Sequence, residues 1–475
     1  MPLILGTNSI KDTGYNVANS VRFNGSNTYM TRTMGTPTNA DKFSFSFWVK
    51  RSKLSAQQSI FRSTNGNNDS HVTFRSGDTL DFQEYGGLST IGEIETNQVF
   101  TDVSAWYSIL LVWDSGNSTA GNRMRMYVNG TEVTSFGTDS NPSQDADSFF
   151  NKSGEPLHFG RTDYSGGANY FSGYVCEMVM CDGQALVPSD IGEFDTDSPN
   201  IFKPIDVSGL TFGNNGFYLN FEDSSDLGKD VSGNNNHFTE SNFSATDQST
   251  DTCTNNAITI NPLDDVASST YSEGNLKVVT SASGSAPHFT TFGLTTGKWY
   301  WEVKATSFTE HADGYIIIGI TGNQGNSTTN QLGHLANDYG FVNNGQIQAN
   351  TGNDTDYGST YTQGQIIGTY LDLDNNKLYF SINGALQNSG TGHSITAASS
   401  TTNGFYMPSF SDYSSSSSNL VTVEWNFGAG TTFAISSGNS DDNGYGNFEY
   451  SPNITGDGAA KKFYTINSKN LAEFG

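Results

Sequence analysis

A strand, an acidic polar turn, a second strand of alternating apolar and polar side chains and a closing Asn-Gly step occur together twice in this chain and restrict both regions to antiparallel β-structure. The first copy, AWYSILLVWDSGNSTAGNRMRMYVNG, runs from Ala105 to Gly130, and the second, GQIIGTYLDLDNNKLYFSING, from Gly364 to Gly384. In the second, Leu378, Phe380 and Ile382 share one face while Lys377, Tyr379 and Ser381 take the other. In the first, Met124, Met126 and Val128 oppose Arg125 and Tyr127. A period of two marks a strand buried on one side. Asn-Gly readily adopts the positive φ of tight hairpin turns, so Asn129-Gly130 and Asn383-Gly384 are both expected to reverse the chain. Two such devices far apart predict two separate sandwiches.

Length and composition agree. At 475 residues the chain exceeds one ordinary core. Glycine alone contributes 52 residues and aromatics 13%, with few charges, which suits a turn-rich β protein and not a disordered one. Lys+Arg is 22 against Asp+Glu 48, a formal net charge of -26. Such a field repels phosphate backbones and anionic membranes, so no nucleic-acid partner is expected. The three cysteines, Cys176, Cys181 and Cys253, cannot make a disulfide framework. Cys176 and Cys181 are an odd number of positions apart, so on one regular strand they face opposite sides, and reduced thiols are expected. The start, MPLILGTNSIKDTGY, has no basic stretch followed by a long apolar one, and no run reaches membrane-spanning length, so neither a signal peptide nor membrane insertion is expected.

Read in order, residues 1–19 form a polar arm. From 20 to 195, short strands such as KFSFSFWVKR alternate cleanly, with Phe43, Phe45 and Phe47 inward and Val49 beside them. VPSDIGEF, from Val187, suits one short helix capped by Ser189. Residues 196–263 form a long Asn/Asp/Ser/Gly bridge whose Phe202, Phe212, Phe238 and Phe243 suit docking on a surface. Strands return from 264 to 430. GKWYWEVKATS sets Trp299, Trp301 and Val303 against Tyr300 and Glu302, and YIIIGIT is apolar enough to need cover on both faces. Residues 431–475 form a second arm, locally basic at Lys461, Lys462 and Lys469, which suits either docking on an acidic surface, its own or a neighbour's, or a solvated end.

FNGSNTYM, FSFSFWVKR, DVSAWYSILLVWDS, MRMYVNGTEV, LHFGR and FSGYVCEMVMCDGQAL, in that order, resemble a laminin-G-like (concanavalin A-like) jelly roll. GKWYWEV, IIIGIT, GFVNNGQIQ, GTYLDLDNNKLYFSING, FYMPSFS and VEWNFG resemble a SPRY domain. The whole order, including GFYLNFEDSSDLGKDVSGNNNHFT and DTCTNNAITINPL, is similar to structural proteins of marine tailed phages that join these two modules, although Cys253 stands where Pro is frequent. The fold class expected is therefore all-β, with two antiparallel jelly-roll sandwiches joined by an irregular bridge. The resemblance implies a virion appendage protein on a tail or capsid surface, made in a host cytoplasm. It further implies other virion proteins and a homo-oligomer as partners, with host-surface glycan or protein as the ligand. A purely structural virion role is the alternative.

Sandwich folds contact ligands through end loops, and tyrosine or tryptophan rings suit sugar faces. Tyr164 and Tyr170 in the first domain, and Tyr357, Tyr361 and Tyr413 in the second, are the ligand-binding candidates. Laminin-G-like domains often carry calcium at a loop rim, which takes oxygen ligands, and Asp114, Asn117 and Asp163 are its candidates here. Asp223, Asp226 and Asp230 form a second acidic group, while Asp372, Asp374 and Asn376 read as turn formers. Related jelly rolls include glucanases with strand-borne carboxylates. Glu93 and Glu95 share a face but lack a third acid in their own stretch, so a cell-envelope glycan hydrolase is the less favoured reading and no enzyme is expected. No Gly-x-Ser-x-Gly, His-Glu-x-x-His or phosphate-loop pattern occurs in the sequence.

Overall fold

The computed structural model describes residues 4, 14–162, 169–264, 268–281, 286–308, 315–323, 330–349, 352–413 and 420–475. The protein is all-β, and Ser468–Phe474 is the one α-helix among the described residues. The chain divides into two compact units, Thr13–Asn255 and Asn256–Gly475, with Ile4 paired to Phe292 in the second.

In the first unit, sheet A runs in the order Thr131–Glu132, Met124–Val128, Tyr107–Asp114, Lys42–Arg51, Ser172–Asp182, Ser20–Asn24, Gln248–Ser249, with Phe217–Leu219 also paired to Ser172–Asp182. Sheet B runs Phe136–Ser140, Ser89–Val99, Thr79–Gly86, Asn68–Phe74, Gln58–Asn65, Pro156–Phe159, Tyr29–Thr33, Thr239–Ser241. Phe43, Phe45, Phe47 and Val49 point into the core, where they meet Phe61, Val72, Phe82 and Ile94 of sheet B. Phe45 stacks on Phe61 with ring centroids 4.4 Å apart.

Both Asn-Gly steps are left-handed turns, with φ of 48° and 75° at Asn129 and Gly130 and 47° and 77° at Asn383 and Gly384. Each asparagine also ties its turn to the neighbouring strand. Asn129 Oδ1 accepts from Ser108 N at 2.8 Å, and Asn383 Oδ1 accepts from Ile366 N at 2.9 Å.

Two local expectations are corrected. A β-bulge interrupts the pairing of Ser172–Asp182 with Lys42–Arg51 between Cys176 and Val179, and Glu177 within it has φ of 50°. The extra residue reverses the alternation. Cys176 and Cys181 therefore share the outer face of sheet A. At Val187 the chain makes only the 3-10 turn Pro188–Asp190, closed by Asp190 Oδ2 accepting from Val187 N at 2.8 Å instead of by Ser189.

The outer face of sheet A is as apolar as a core, and the chain from 183 onward covers it. Trp48, Leu110, Val112, Tyr127, Cys176 and Val179 pack with Leu186, Ile191, Phe202, Phe212 and Tyr218. Phe202 stacks on Trp48 at 6.1 Å. Asp230 shapes this layer by accepting from Tyr218 N, Ser232 N and Asn236 N at 2.9, 2.9 and 2.7 Å. Residues 196–255 thus belong to the first unit, while Ile258 and Ile260 enter the core of the second.

In the second unit, sheet C runs Thr270–Ser272, Lys277–Val279, Thr422–Asn426, Lys298–Ser307, Ile366–Asp372, Lys377–Ile382, Ala385–Leu386, with His393–Ser394 and Tyr464–Thr465 attached. Sheet D runs His288–Phe289, Met407–Tyr413, Tyr315–Thr321, Asp338–Val342, Gln346–Ala349, Asn353–Asp356. Trp299, Trp301, Val303, Leu378, Phe380 and Ile382 fill the core between them. On the outer face of sheet C, Tyr300, Tyr370 and Tyr379 are covered by Phe448 and Phe463 of the C-terminal segment. Glu302, fully buried, accepts from Glu449 N and Tyr450 N at 3.1 and 2.7 Å. Lys461 pairs with Asp372 at 3.2 Å and Lys462 pairs with Asp442, so these lysines answer acids of their own unit.

Two buried carboxyls make the first unit pH-sensitive. Burial pushes Glu84 up to about 7 against hydrogen bonds from Ser148, Ser70 and Phe149 N, and pushes Glu177 up to about 7 against Tyr218 OH. A folded pKa above the ordinary value of 4.5 means that the fold holds the proton more tightly. This stabilisation is complete below that value and is lost as pH rises through about 7. The thermal midpoint of the first unit should therefore fall between pH 5 and pH 8, and Glu84→Gln should flatten part of that slope in calorimetry.

Candidate functional site

With sheets A and C covered by later chain, the outer faces of sheets B and D are left without a third layer of comparable extent among the described residues.

On sheet D, the apolar positions Ile317 and Val342 face outward and cluster with Leu332. The loop carrying Gln331, Leu332 and His334 lies over them, held by Leu332 N donating to Ser411 Oγ at 2.8 Å. Gly333, with φ of 96°, is required here, since a Cβ would stand 2.7 Å from Gln348 O. Gln346 and Gln348 project outward on either side of Ile347, which belongs to the core. The result is a pocket of about 340 Å³ lined by Ile317, Val342, Gln331, His334, Asn344, Gln346, Gln348 and Asp354, within the size range of small-ligand sites.

Its polar lining is mostly carboxamide. Gln331 Nε2 donates to Gln348 Oε1 at 3.0 Å and stands 3.1 Å from His334 Nε2. Asn344 Nδ2 donates to Gln346 Oε1 at 2.9 Å, and Gln346 Nε2 to Asp356 Oδ1 at 3.2 Å. Gln331 is 8% exposed, and its Oε1 is buried without a hydrogen-bond partner. Carboxamides both donate and accept, and the floor is apolar. This combination suits a neutral ligand bearing hydroxyls or amides on one side and C–H surface on the other.

On sheet B, the outer face holds a charged network. Asp81, fully buried, pairs with His71 Nε2 at 3.0 Å and with Arg75, which also stands 3.6 Å from Glu93. Asp81 lies opposite Glu95 in register, so the fold supplies the third acid that the stretch around Glu93 and Glu95 lacks. These acids are already engaged. Arg75 answers Asp81 and Glu93, and Thr79 Oγ1 donates to Glu95 at 2.6 Å. Burial opposes the charged form of His71, but the carboxylates of Asp69, 3.9 Å from Nδ1, and of Asp81, hydrogen-bonded to Nε2, outweigh it, and its pKa is raised.

Of the tyrosine candidates, Tyr170 is half-buried, 6.4 Å from Tyr29, and the Arg161 guanidinium lies 3.7 Å from the centre of the Tyr29 ring, an aromatic edge beside sheet B. Tyr357 and Tyr361 are corrected to core residues, 6% and 1% exposed, packed on Phe341. Backbone carbonyls satisfy their hydroxyls: Tyr357 OH donates to Thr391 O at 3.1 Å, and Tyr361 OH lies 2.9 Å from Ile316 O. Tyr413 pairs through its backbone with Tyr315, and its side chain lies outside the described residues, as do Tyr164 and Asp163.

Asp114 and Asn117 both have partners within the chain. Asp114 is 8% exposed with Lys42 Nζ at 3.2 Å, and Asn117 Oδ1 accepts from Thr119 N at 3.0 Å. Asp223 is likewise engaged by Ser225 and Lys229, and Asp230 by backbone N–H groups. Among the described residues, no group of three His, Cys, Asp or Glu side chains is arranged to hold a metal ion.

The pocket on sheet D was missed from sequence because its parts come from four strands and a loop. Alternation in Gln346-Ile347-Gln348 was the available signal; nothing in the stretch around Gln331 pointed there.

Comparison with known proteins adds the domain types. Residues 24–192 match the family model described as the concanavalin A-like lectin/glucanases superfamily, and residues 298–420 match the SPRY domain. Both domains are found in this chain. No curated protein matches it. Among solved structures, it is similar to the native heptameric SAP-like pentraxin of Limulus polyphemus, at 18% identity over 37% of this chain and 80% of that one, TM-score 0.28. It is similar to the SPRY domain of human HERC1, at 14% identity over 37% and 99%, TM-score 0.27. A third similar structure is a Bacteroides ovatus ATCC 8483 protein described as carbohydrate binding, at 15% identity over 48% and 59%, TM-score 0.32.

Replacing Asp81 with Asn should lower the His71 pKa, because the carboxylate that favours the imidazolium is lost. NMR titration of the histidine ring checks this.

Proposed function

We propose that this chain is a non-catalytic adhesion protein of a virion surface, gripping a host-surface glycan or protein through the sheet faces and rims that its own chain leaves uncovered. The observation that carries the reading is the carboxamide-lined pocket of sheet D, with the buried, unpartnered Oε1 of Gln331 at its wall. Neighbouring carboxamides can bridge vicinal hydroxyls, and Ile317 and Val342 offer apolar surface to the C–H face of a sugar ring. Among the described residues, the pocket lining carries no lysine or arginine and its one carboxylate is Asp354, so a neutral sugar is preferred over an anionic one.

The virion context rests on the sequence resemblance to marine tailed-phage proteins that join these two modules. The lectin-like and SPRY matches support a binding role in general terms. A hydrolytic role is less supported, because Arg75 and Thr79 occupy the carboxylates that would have to act on a glycosidic bond. Weak single sites would gain strength from many copies on one particle.

Neutral glycans, presented on an array and then titrated, test the proposal. Binding should be detected, and Gln331→Leu and Gln348→Leu should each weaken it about 10-fold, the scale of one lost hydrogen bond at a buried site. Unchanged affinity in both variants, with melting midpoints intact, would remove the pocket from the reading. Capture of other virion proteins in place of glycans would favour the purely structural role.

A further inference from the structure

Cys176 and Cys253 are 77 positions apart, yet their sulfur atoms stand 3.6 Å from one another. Both are free thiols. Cys176 is fully buried in sheet A, beside the bulge at Glu177, and Cys253 is partly exposed. Separate anchors hold each backbone. Cys176 is in register with Trp48. On the other side, Thr254 Oγ1 accepts from Val17 N at 3.0 Å, Thr252 Oγ1 donates to Val17 O at 3.1 Å, and Asp251 pairs with Lys50 at 2.8 Å. A disulfide needs sulfurs about 2 Å apart, so the remaining closure is on the scale of side-chain torsion adjustments. The chain between the two cysteines contains the layer that covers sheet A, including Phe202, Phe212 and Tyr218.

We propose that Cys176 and Cys253 form a disulfide when the protein meets an oxidising solution, and that this bond fastens the covering layer onto sheet A at both of its ends. The oxidant class is a small-molecule disulfide, RS–SR. The Cys253 thiolate, being the more accessible, attacks one sulfur, forming Cys253–S–S–R and releasing RS⁻. The Cys176 thiolate then attacks Cys253 Sγ and expels the second RS⁻. Two cysteines lose two electrons, RS–SR gains them, and the two thiol protons end on two RSH. Burial raises the Cys253 pKa, so the first step quickens as pH rises. Cys181 lies on the same face, and burial holds its pKa up at about 12. It serves as an internal control.

The full chain incubated with oxidised glutathione tests this. Three titratable thiols should fall to one, the intact mass should drop by about 2 Da, and peptide mapping should join Cys176 to Cys253. The melting midpoint of the first unit should rise by about 5 °C or more and return on reduction with dithiothreitol. Cys181→Ser should behave in the same way, and Cys253→Ser should not cross-link. Three thiols persisting in folded protein, a bond through Cys181, or a stable glutathione adduct on Cys253 without ring closure would each overturn the proposal.

Discussion

A sheet with apolar residues on both faces cannot serve as the outer wall of a two-layer sandwich, because water would meet one of those faces. Sheets A and C both have this property. The strand Lys42–Arg51 sends Phe43, Phe45 and Phe47 inward and Trp48 outward, and the strand Lys298–Ser307 sends Trp299 and Trp301 inward and Tyr300 outward. Each unit resolves the conflict in the same way. Chain following the sandwich strands returns to lie over the exposed face, with Phe202 against Trp48 in one case and Phe448 and Phe463 against the tyrosines in the other. Irregular backbone can serve as this layer because its polar groups find local partners, as the carboxylates of Asp230 and Glu302 show.

That use of chain decides where a ligand can approach. The faces left over differ in chemistry. On sheet B the polar groups are charged and paired with one another: Asp81, His71, Arg75 and Glu93 form a network of ion pairs, in which Asp81 Oδ1 and Arg75 Nε keep no hydrogen-bond partner. On sheet D the polar groups are neutral amides above an apolar floor, one of them with an unused acceptor. Displacing water from amides costs less than displacing it from ions, so the second surface is the better suited to reversible adhesion.

Much of the fold was legible from alternation. Leu378, Phe380 and Ile382 share the core, Tyr379 lies opposite, and both Asn-Gly steps adopt the left-handed turn. Three kinds of information were not local. The bulge at Glu177 shifts the alternation by one residue and moves Cys181 to the face of Cys176, which spacing alone reads the other way. Tyr357 and Tyr361 sit among Asp, Gly, Ser and Thr, which suggests a rim, yet carbonyls at Thr391 and Ile316 receive their hydroxyls inside the fold. The pocket of sheet D depends on Gln331 arriving from a loop and Gln348 from a strand, a meeting set by tertiary packing alone.

Hydrogen–deuterium exchange followed by mass spectrometry tests the covering role of the trailing chain most directly. If residues 202–231 and 445–466 are true third layers, their amides, such as Val231 N bonded to Tyr218 O at 2.8 Å and Phe448 N bonded to Asn439 O at 2.8 Å, should exchange slowly, on the time scale of the strands beneath them. Exchange of both segments within seconds, while the sheets stay protected, would contradict the account.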